Sequence, residues 1–179
     1  MQQRALFLDR DGVINQNHGY VCEQANFVFI DGIFDVVLYA QNLKYKLIVI
    51  TNQAGIGRGY YNEDQFHNLS RWMCEQFEVA GSPISKVYFS PYHPTAGVGM
   101  YLKDDYSRKP RPGMILQAQQ DFDIDLSASV LIGDQTTDIQ AGVAAGVGTN
   151  LLFSQEKPSQ LNGIKYELVK HLSEAIPYL

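Results

Sequence analysis

Two aspartates one residue apart, Asp9 and Asp11, follow the apolar run Ala5 to Leu8 and lead into Gly12. In an extended chain, residues at i and i+2 share a face, so these carboxylates are expected to converge. Crowding negative charge in this way is unfavourable unless a cation or a reaction makes use of it. The plain alternative is a solvated Asp-x-Asp-Gly turn, because Asp and Gly are common turn residues. Three more signatures bear on the choice: Thr51-Asn52-Gln53, Arg108-Lys109-Pro110-x-Pro112 and Gly133-Asp134-x-x-x-Asp138. Each is ordinary alone, since Thr or Asn after a strand is usually a helix cap, a Lys before Pro a solvated loop charge, and Gly-Asp a turn. Their order, with each at the end of an apolar run, makes a shared site the better explanation.

The elements that must bring these residues together are strands alternating with helices, the pattern of a parallel sheet covered on both faces. Segments 46–51, 86–89, 130–132 and 149–153 read as strands after the first, and 32–42, 113–122 and 135–145 as helices. Asn62 starts a further helix with Phe66, Leu69, Met73 and Phe77 on one stripe, read as core. The tail is expected to close with a strand and a helix. The fold class is therefore α/β, a Rossmann-like, doubly wound and mainly parallel sheet. Right-handed crossovers put the carboxyl ends of its strands along one edge, where ligands of such sheets bind. Asp9, Asp11, Thr51, Asn52 and Asp134 all fall there.

The 179 residues suffice for one domain with a real core. A net charge of −5 argues against a nucleic-acid-coating surface. No apolar run is long enough to span a bilayer, and neither Cys22 nor Cys74 has metal-ligand or disulfide-framework spacing, so a cytoplasmic protein is expected. The absence of a heptad pattern or an extended apolar edge suggests a monomer.

The ordered set closely resembles the haloacid dehalogenase (HAD) superfamily of phosphotransferases over nearly the whole chain. The resemblance implies that Asp9 is the nucleophile, forming an aspartyl-phosphate, and that Asp11 protonates the leaving alkoxide and then deprotonates water. Nearby carboxylates would help Asp11 hold its proton. Thr51 and Lys109 would bind the phosphoryl oxygens, and Asp9, Asp134 and the main-chain carbonyl of Asp11 would ligate Mg²⁺. Asp138 would orient these ligands rather than bind metal itself. The gaps from Asp11 to Thr51 and from Thr51 to Lys109 leave no room for an ordinary cap domain, so substrate fit falls to loops near 15–29, 54–61 and 90–112.

Within the superfamily, Asn15-x-x-His18-Gly19-Tyr20-Val21 and Thr51-Asn52-Gln53-Ala54-Gly55-Ile56-Gly57-Arg58-Gly59 look like the bacterial D-glycero-D-manno-heptose 1,7-bisphosphate phosphatases. Histidinol-phosphate phosphatases share much of the pattern. The resemblance places Asn17, His18, Gly19, Tyr20, Asn52, Gln53, Ala54, Arg58, Arg108 and Gln135 against substrate. The partner is then a small sugar phosphate, supplied for nucleotide-activated heptose and surface polysaccharide. The alternatives are a histidinol-phosphate or other small-molecule phosphatase and, in another class, an inactive sugar-phosphate binder. Many relatives hold a structural zinc in the long loop through Cys-x-His and Cys-x-Cys pairs. Here those positions are Ser90, Tyr92, Asp105 and Ser107, and no zinc is expected. Packing of Tyr92, Tyr101, Tyr106 and the prolines is expected to hold the loop instead. Ala54 stands where the heptose enzymes usually have Ser, and Gln135 where they often have Lys. Losing that Lys removes a positive charge and is expected to shift preference between anomers or toward a monophosphate.

Overall fold

Branched and aromatic side chains buried on both sides make each apolar run a central strand rather than an amphipathic one. A computed structural model describes residues 3–179. In chain order the elements are β1 (Ala5–Leu8), α1 (Ile33–Asn42), β2 (Lys46–Asn52), α2 (Ala54–Gly57), α3 (Glu63–Val79) and β3 (Lys86–Ser90). They continue with α4 (Gly113–Phe122), β4 (Val130–Gly133), α5 (Thr136–Ala145), β5 (Thr149–Phe153) and β6 (Glu167–Val169). A 3-10 segment, Leu172–Tyr178, ends the chain.

The strands form one sheet in the order β3-β2-β1-β4-β5-β6, with every pairing parallel. The chain steps outward from β1 through β2 to β3, then returns to the other side of β1 as β4. This reversal is the topological switch point, and it opens a crevice at the carboxyl ends of β1 and β4. Strict alternation divides the core into two layers. Leu6, Leu8, Leu47, Val49, Val130 and Ile132 face the layer built by α1 and α3. Phe7, Ile48, Ile50 and Leu131 face Met114, Ile115 and Ala118 of α4 and Ile139 and Ala141 of α5.

The one-turn helix α2 is an addition to the expected elements, because two glycines in four residues hide a helical signal. The expected closing strand and helix form as β6 and a helix of 3-10 type that contains Pro177, which has no N–H for a helical ladder. The helix starting after Asn62 forms as expected, with Phe66, Leu69, Met73 and Phe77 buried. Asn62 accepts from the Gln65 N–H at 2.8 Å, while the Gln65 side chain accepts from the Asn62 N–H at 3.0 Å. No helix among the described residues is long and apolar enough to cross a membrane. Since this reciprocal cap supplies acceptors to orphan N–H donors at the head of α3, Asn62→Ala is expected to lower the unfolding free energy by about 1 kcal/mol. A urea titration checks this as a lower midpoint at unchanged slope.

Candidate active site

One ammonium organises the floor of the crevice. Lys109 is 3 % exposed, and its Nζ reaches Asp138 Oδ1 at 2.7 Å, Asp9 Oδ1 at 2.8 Å and the Ile50 carbonyl at 2.9 Å. All three of its hydrogens are therefore committed. Asn52 holds the lysine in place from outside. Its Oδ1 accepts from the Lys109 N–H at 3.1 Å and its Nδ2 donates to the Lys109 carbonyl at 3.0 Å.

Asp9 follows directly on β1, and its Oδ1 accepts from the Arg10 N–H at 2.8 Å as well as from Lys109. Among the described residues no donor reaches its Oδ2. Asp134 follows directly on β4 and lies against Gly12, where a Cβ would collide with its carboxylate. Gly12 also has φ +99°, so the turn between the strands needs glycine on both counts. The Asp134 Oδ2 accepts from Gln135 Nε2 at 2.8 Å, whereas its Oδ1 is buried without a partner. Asp138 is sealed from solvent, with one oxygen on Lys109 and the other accepting from the Gln135 N–H at 2.9 Å.

Asp9, Asp134 and Asp138 offer carboxylate oxygens within 4.8 Å of one another, three acids around a single internal cation. Burial pushes the Asp9 carboxyl well above the ordinary range, with Lys109 opposing and Asp138 and Asp134 adding to the rise. Burial likewise pushes Asp134 up to about 6. Burial would pull Lys109 down, but Asp138 and Asp9 outweigh it and hold the lysine charged. The shifts of Asp9 and Lys109 thus pull their contact in opposite senses. With two carboxylates and a carbonyl around it, the ammonium stays charged, and the shortage of positive charge falls on the acids. An unpartnered buried oxygen, a hard-oxygen donor set and a deficit of positive charge fit a divalent cation such as Mg²⁺. The Asp11 carbonyl, which accepts no backbone hydrogen bond among the described residues, is available to the same position.

The side chain of Asp11 departs from expectation. It lines the same crevice as Asp9, but its neighbours are donors rather than carboxylates. Arg10 forks onto it through Nε at 3.2 Å and Nη2 at 2.8 Å, Asn15 donates to Oδ1 at 3.1 Å, and Gln53 donates to Oδ2 at 2.9 Å. Arg10 has the alternate direction along the chain and turns back under its neighbour, a role its position between two acids did not reveal. Gln53 also donates to Thr51 Oγ1 at 2.8 Å, and its Oε1 accepts from the Tyr61 hydroxyl. Thr51 is buried, and with its oxygen accepting, its own hydrogen is free for a ligand. Burial pushes the Tyr61 phenol upward, so its O–H remains a donor.

The crevice encloses about 380 Å³. Asp9, Asp11, Asn17, Gly19, Tyr20, Thr51, Asn52, Gln53, Ala54, Arg108, Lys109, Gln135 and Asp138 all line it, as do Gly55 and the unforeseen Tyr61 and Thr137. His18 and Arg58 are not among its lining residues. Arg58 instead lies behind Tyr20, donating to its hydroxyl and sitting 5.5 Å from the Tyr60 ring centroid. Gln53 and Asn52, expected to contact substrate, have their amides turned to the protein.

The long loop is held chiefly by hydrogen bonds. Ser107 Oγ donates to Asp105 Oδ1 at 2.7 Å and accepts from Ser90 Oγ at 3.0 Å, tying three of the four positions named above for a zinc site. The fourth, Tyr92, receives Arg108 Nη1 on its carbonyl at 3.0 Å. Tyr92 and Tyr101 pack with ring centroids 6.2 Å apart, and Tyr106, though more than half exposed, lies against Gly113 and accepts from its N–H at 3.2 Å.

A profile of the HAD-hydrolase-like family matches residues 106–175. The chain is 54% identical over 179 residues to a D-glycero-alpha-D-manno-heptose-1,7-bisphosphate 7-phosphatase of Burkholderia mallei, covering 100% of this chain and 95% of that one. It is 44% identical over 154 residues to the D-glycero-beta-D-manno-heptose-1,7-bisphosphate 7-phosphatase of Escherichia coli K12, covering 86% and 81%. A Mesorhizobium loti crystal structure assigned to the HAD-like phosphatases superposes with a TM-score of 0.89 at 32% identity, over 98% of this chain and 85% of that one. D,D-heptose 1,7-bisphosphate phosphatase from B. bronchiseptica, complexed with magnesium and phosphate, has the same fold, with a TM-score of 0.84 at 21% identity over 98% and 97%. The chain belongs to the HAD-like hydrolases. Within them it falls in the branch of the heptose bisphosphate phosphatases.

Removing the central cation while leaving its acids buried is expected to be costly. Lys109→Met should lower the unfolding free energy by about 3–5 kcal/mol in metal-free buffer at neutral pH. Equilibrium urea unfolding of the two proteins measures the difference.

Proposed function

We propose that this protein is a Mg²⁺-dependent phosphomonoesterase that removes the 7-phosphate of D-glycero-α-D-manno-heptose 1,7-bisphosphate. The observation that carries the chemistry is Asp9: its Oδ1 is pinned by Lys109 and the Arg10 N–H, leaving Oδ2 as the oxygen offered to a reactant. Oδ2 bonds to phosphorus as the ester P–O bond breaks, giving an aspartyl-phosphate and a sugar hydroxyl protonated by Asp11. Asp11 then takes a proton from water as water attacks phosphorus, which frees Asp9 and inorganic phosphate. Thr51 donates its free hydroxyl hydrogen to a phosphoryl oxygen, and Lys109 balances the charge gathered there. Asp9, Asp134 and the Asp11 carbonyl would hold Mg²⁺, with Asp138 orienting them. Bound there, the ion neutralises phosphoryl oxygens. The magnesium and phosphate in the B. bronchiseptica protein, which shares the fold, agree with this assignment.

The α-anomer is favoured by the 54% identity to the Burkholderia mallei enzyme, against 44% or less for the β-anomer enzymes named with it. A neutral Gln135 at the crevice lip is consistent with a changed anomer preference. Residues 1–179 would act as one capless unit in the cytoplasm, monomeric, with loops 15–29, 54–61 and 90–112 shaping the sugar site. Asn17, Tyr20 and Arg108 are the lining side chains best placed for the sugar and its remote phosphate.

With Mg²⁺, the protein should release one equivalent of phosphate from heptose 1,7-bisphosphate and leave the anomeric phosphate in place. Asp9→Asn should lower the rate by at least about 10⁴-fold, the scale on which loss of a covalent nucleophile is felt. Absence of phosphate release by the wild type refutes the activity, and faster turnover of the β-anomer refutes the anomer alone. The loop knot of Ser90, Asp105 and Ser107 is proposed to need no zinc. A zinc-selective chelator should therefore leave the melting temperature unchanged, and a clear drop would show a bound ion.

A further inference from the structure

Gln53 is 1 % exposed, yet every part of its amide is in use. One N–H goes to Asp11 Oδ2 at 2.9 Å, the other to Thr51 Oγ1 at 2.8 Å, and Oε1 accepts from the Tyr61 hydroxyl. An amide has two possible orientations related by a half-turn, and its neighbours choose between them. The reverse orientation would point the Gln53 carbonyl at the Asp11 carboxylate, acceptor against acceptor, and would make the Thr51 and Tyr61 hydroxyls turn their hydrogens. The Asp11 carboxylate, which can only accept, sets the productive orientation, and the Tyr61 hydroxyl, donating to Oε1, holds the amide in it. Its ring is fixed for the task, packed with Ile56 and Phe66 on one side and on Gly55 on the other, where a Cβ would collide with it.

We infer that Tyr61, acting through Gln53, is a positioning residue that aims Asp11 at the leaving oxygen. The inference rests on the phosphatase reading above and assigns a role to a residue that lies outside every motif in the sequence. Tyr61 lines the crevice, but its hydroxyl hydrogen is spent on Gln53 Oε1, so its effect must follow the demand for proton transfer.

Tyr61→Phe separates this role from a packing role. With magnesium present, kcat/KM is measured on heptose 1,7-bisphosphate, whose alkoxide needs a proton to leave, and on p-nitrophenyl phosphate, whose phenolate leaves unaided. The variant should lose about tenfold on the sugar phosphate and less than about twofold on the aryl phosphate, part of the usual worth of a placed general acid. In a Gln53→Met background, Tyr61→Phe should cause no further loss, because the relay is already cut. Equal loss on both esters, undiminished activity on the sugar phosphate, or a further loss in the Gln53→Met background would overturn the inference. If the Tyr61→Phe protein does not fold, the comparison of Gln53→Met with wild type on the two esters decides by the same leaving-group criterion. Should wild type hydrolyse neither ester, the phosphatase reading itself falls and takes this inference with it. If wild type is active and the leaving-group difference is missing, the inference alone fails.

Discussion

Lys109 touches three pieces of the fold that share no backbone ladder with its own loop: the residue after β1, the helix α5 and the end of β2. A buried ammonium without partners is among the most unfavourable groups a core can hold, and one with three well-placed acceptors is tolerable. The loop that delivers it must therefore close onto the sheet correctly, or the charge is stranded. Asn52, bracketing the lysine's backbone from both sides, makes that closure specific. The carboxylates in turn depend on the lysine, and the geometry of Asp9 follows from both.

Much of this was legible because Asp9, Thr51 and Asp134 sit at ends of strongly apolar strands. Buried parallel strands announce themselves as runs such as Leu47 to Ile50, and the residue after each run lands on the carboxyl edge by topology alone. Asp9, Thr51 and Asp134 could be placed in one site for that reason, whereas Lys109 comes from the loop before α4 and Asp138 from α5. The partners of those groups were harder. Gln53 and Asn52 were read as substrate contacts because they follow a strand, and nothing local says that their amides turn inward. Arg10 has no signal beyond its neighbours, and Tyr61 reaches the site only after the one-turn helix α2, itself disguised by glycines.

The long loop illustrates how different chemistry can satisfy one geometric demand. A metal clamp draws four ligands to a point. Here two serines and an aspartate occupy comparable positions and are drawn together by O–H donors. Such bonds are individually modest, near 1 kcal/mol, so the loop also uses the Tyr92–Tyr101 contact and the His93 ring, whose Nδ1 accepts from the Ala96 N–H at 2.9 Å.

β1 is bordered by β2 on one side and β4 on the other, and these three strands carry Asp9, Thr51 and Asp134 at their carboxyl ends. Thermal fraying starts at the rims, at β3 and β6, where a strand has a neighbour on one side only. Peeling away β6 and the terminal 3-10 segment would leave the reactive floor standing. Asp9, Thr51 and Asp134 are thus lodged in the inner strands, whereas Lys109 arrives on the loop that leaves the rim strand β3.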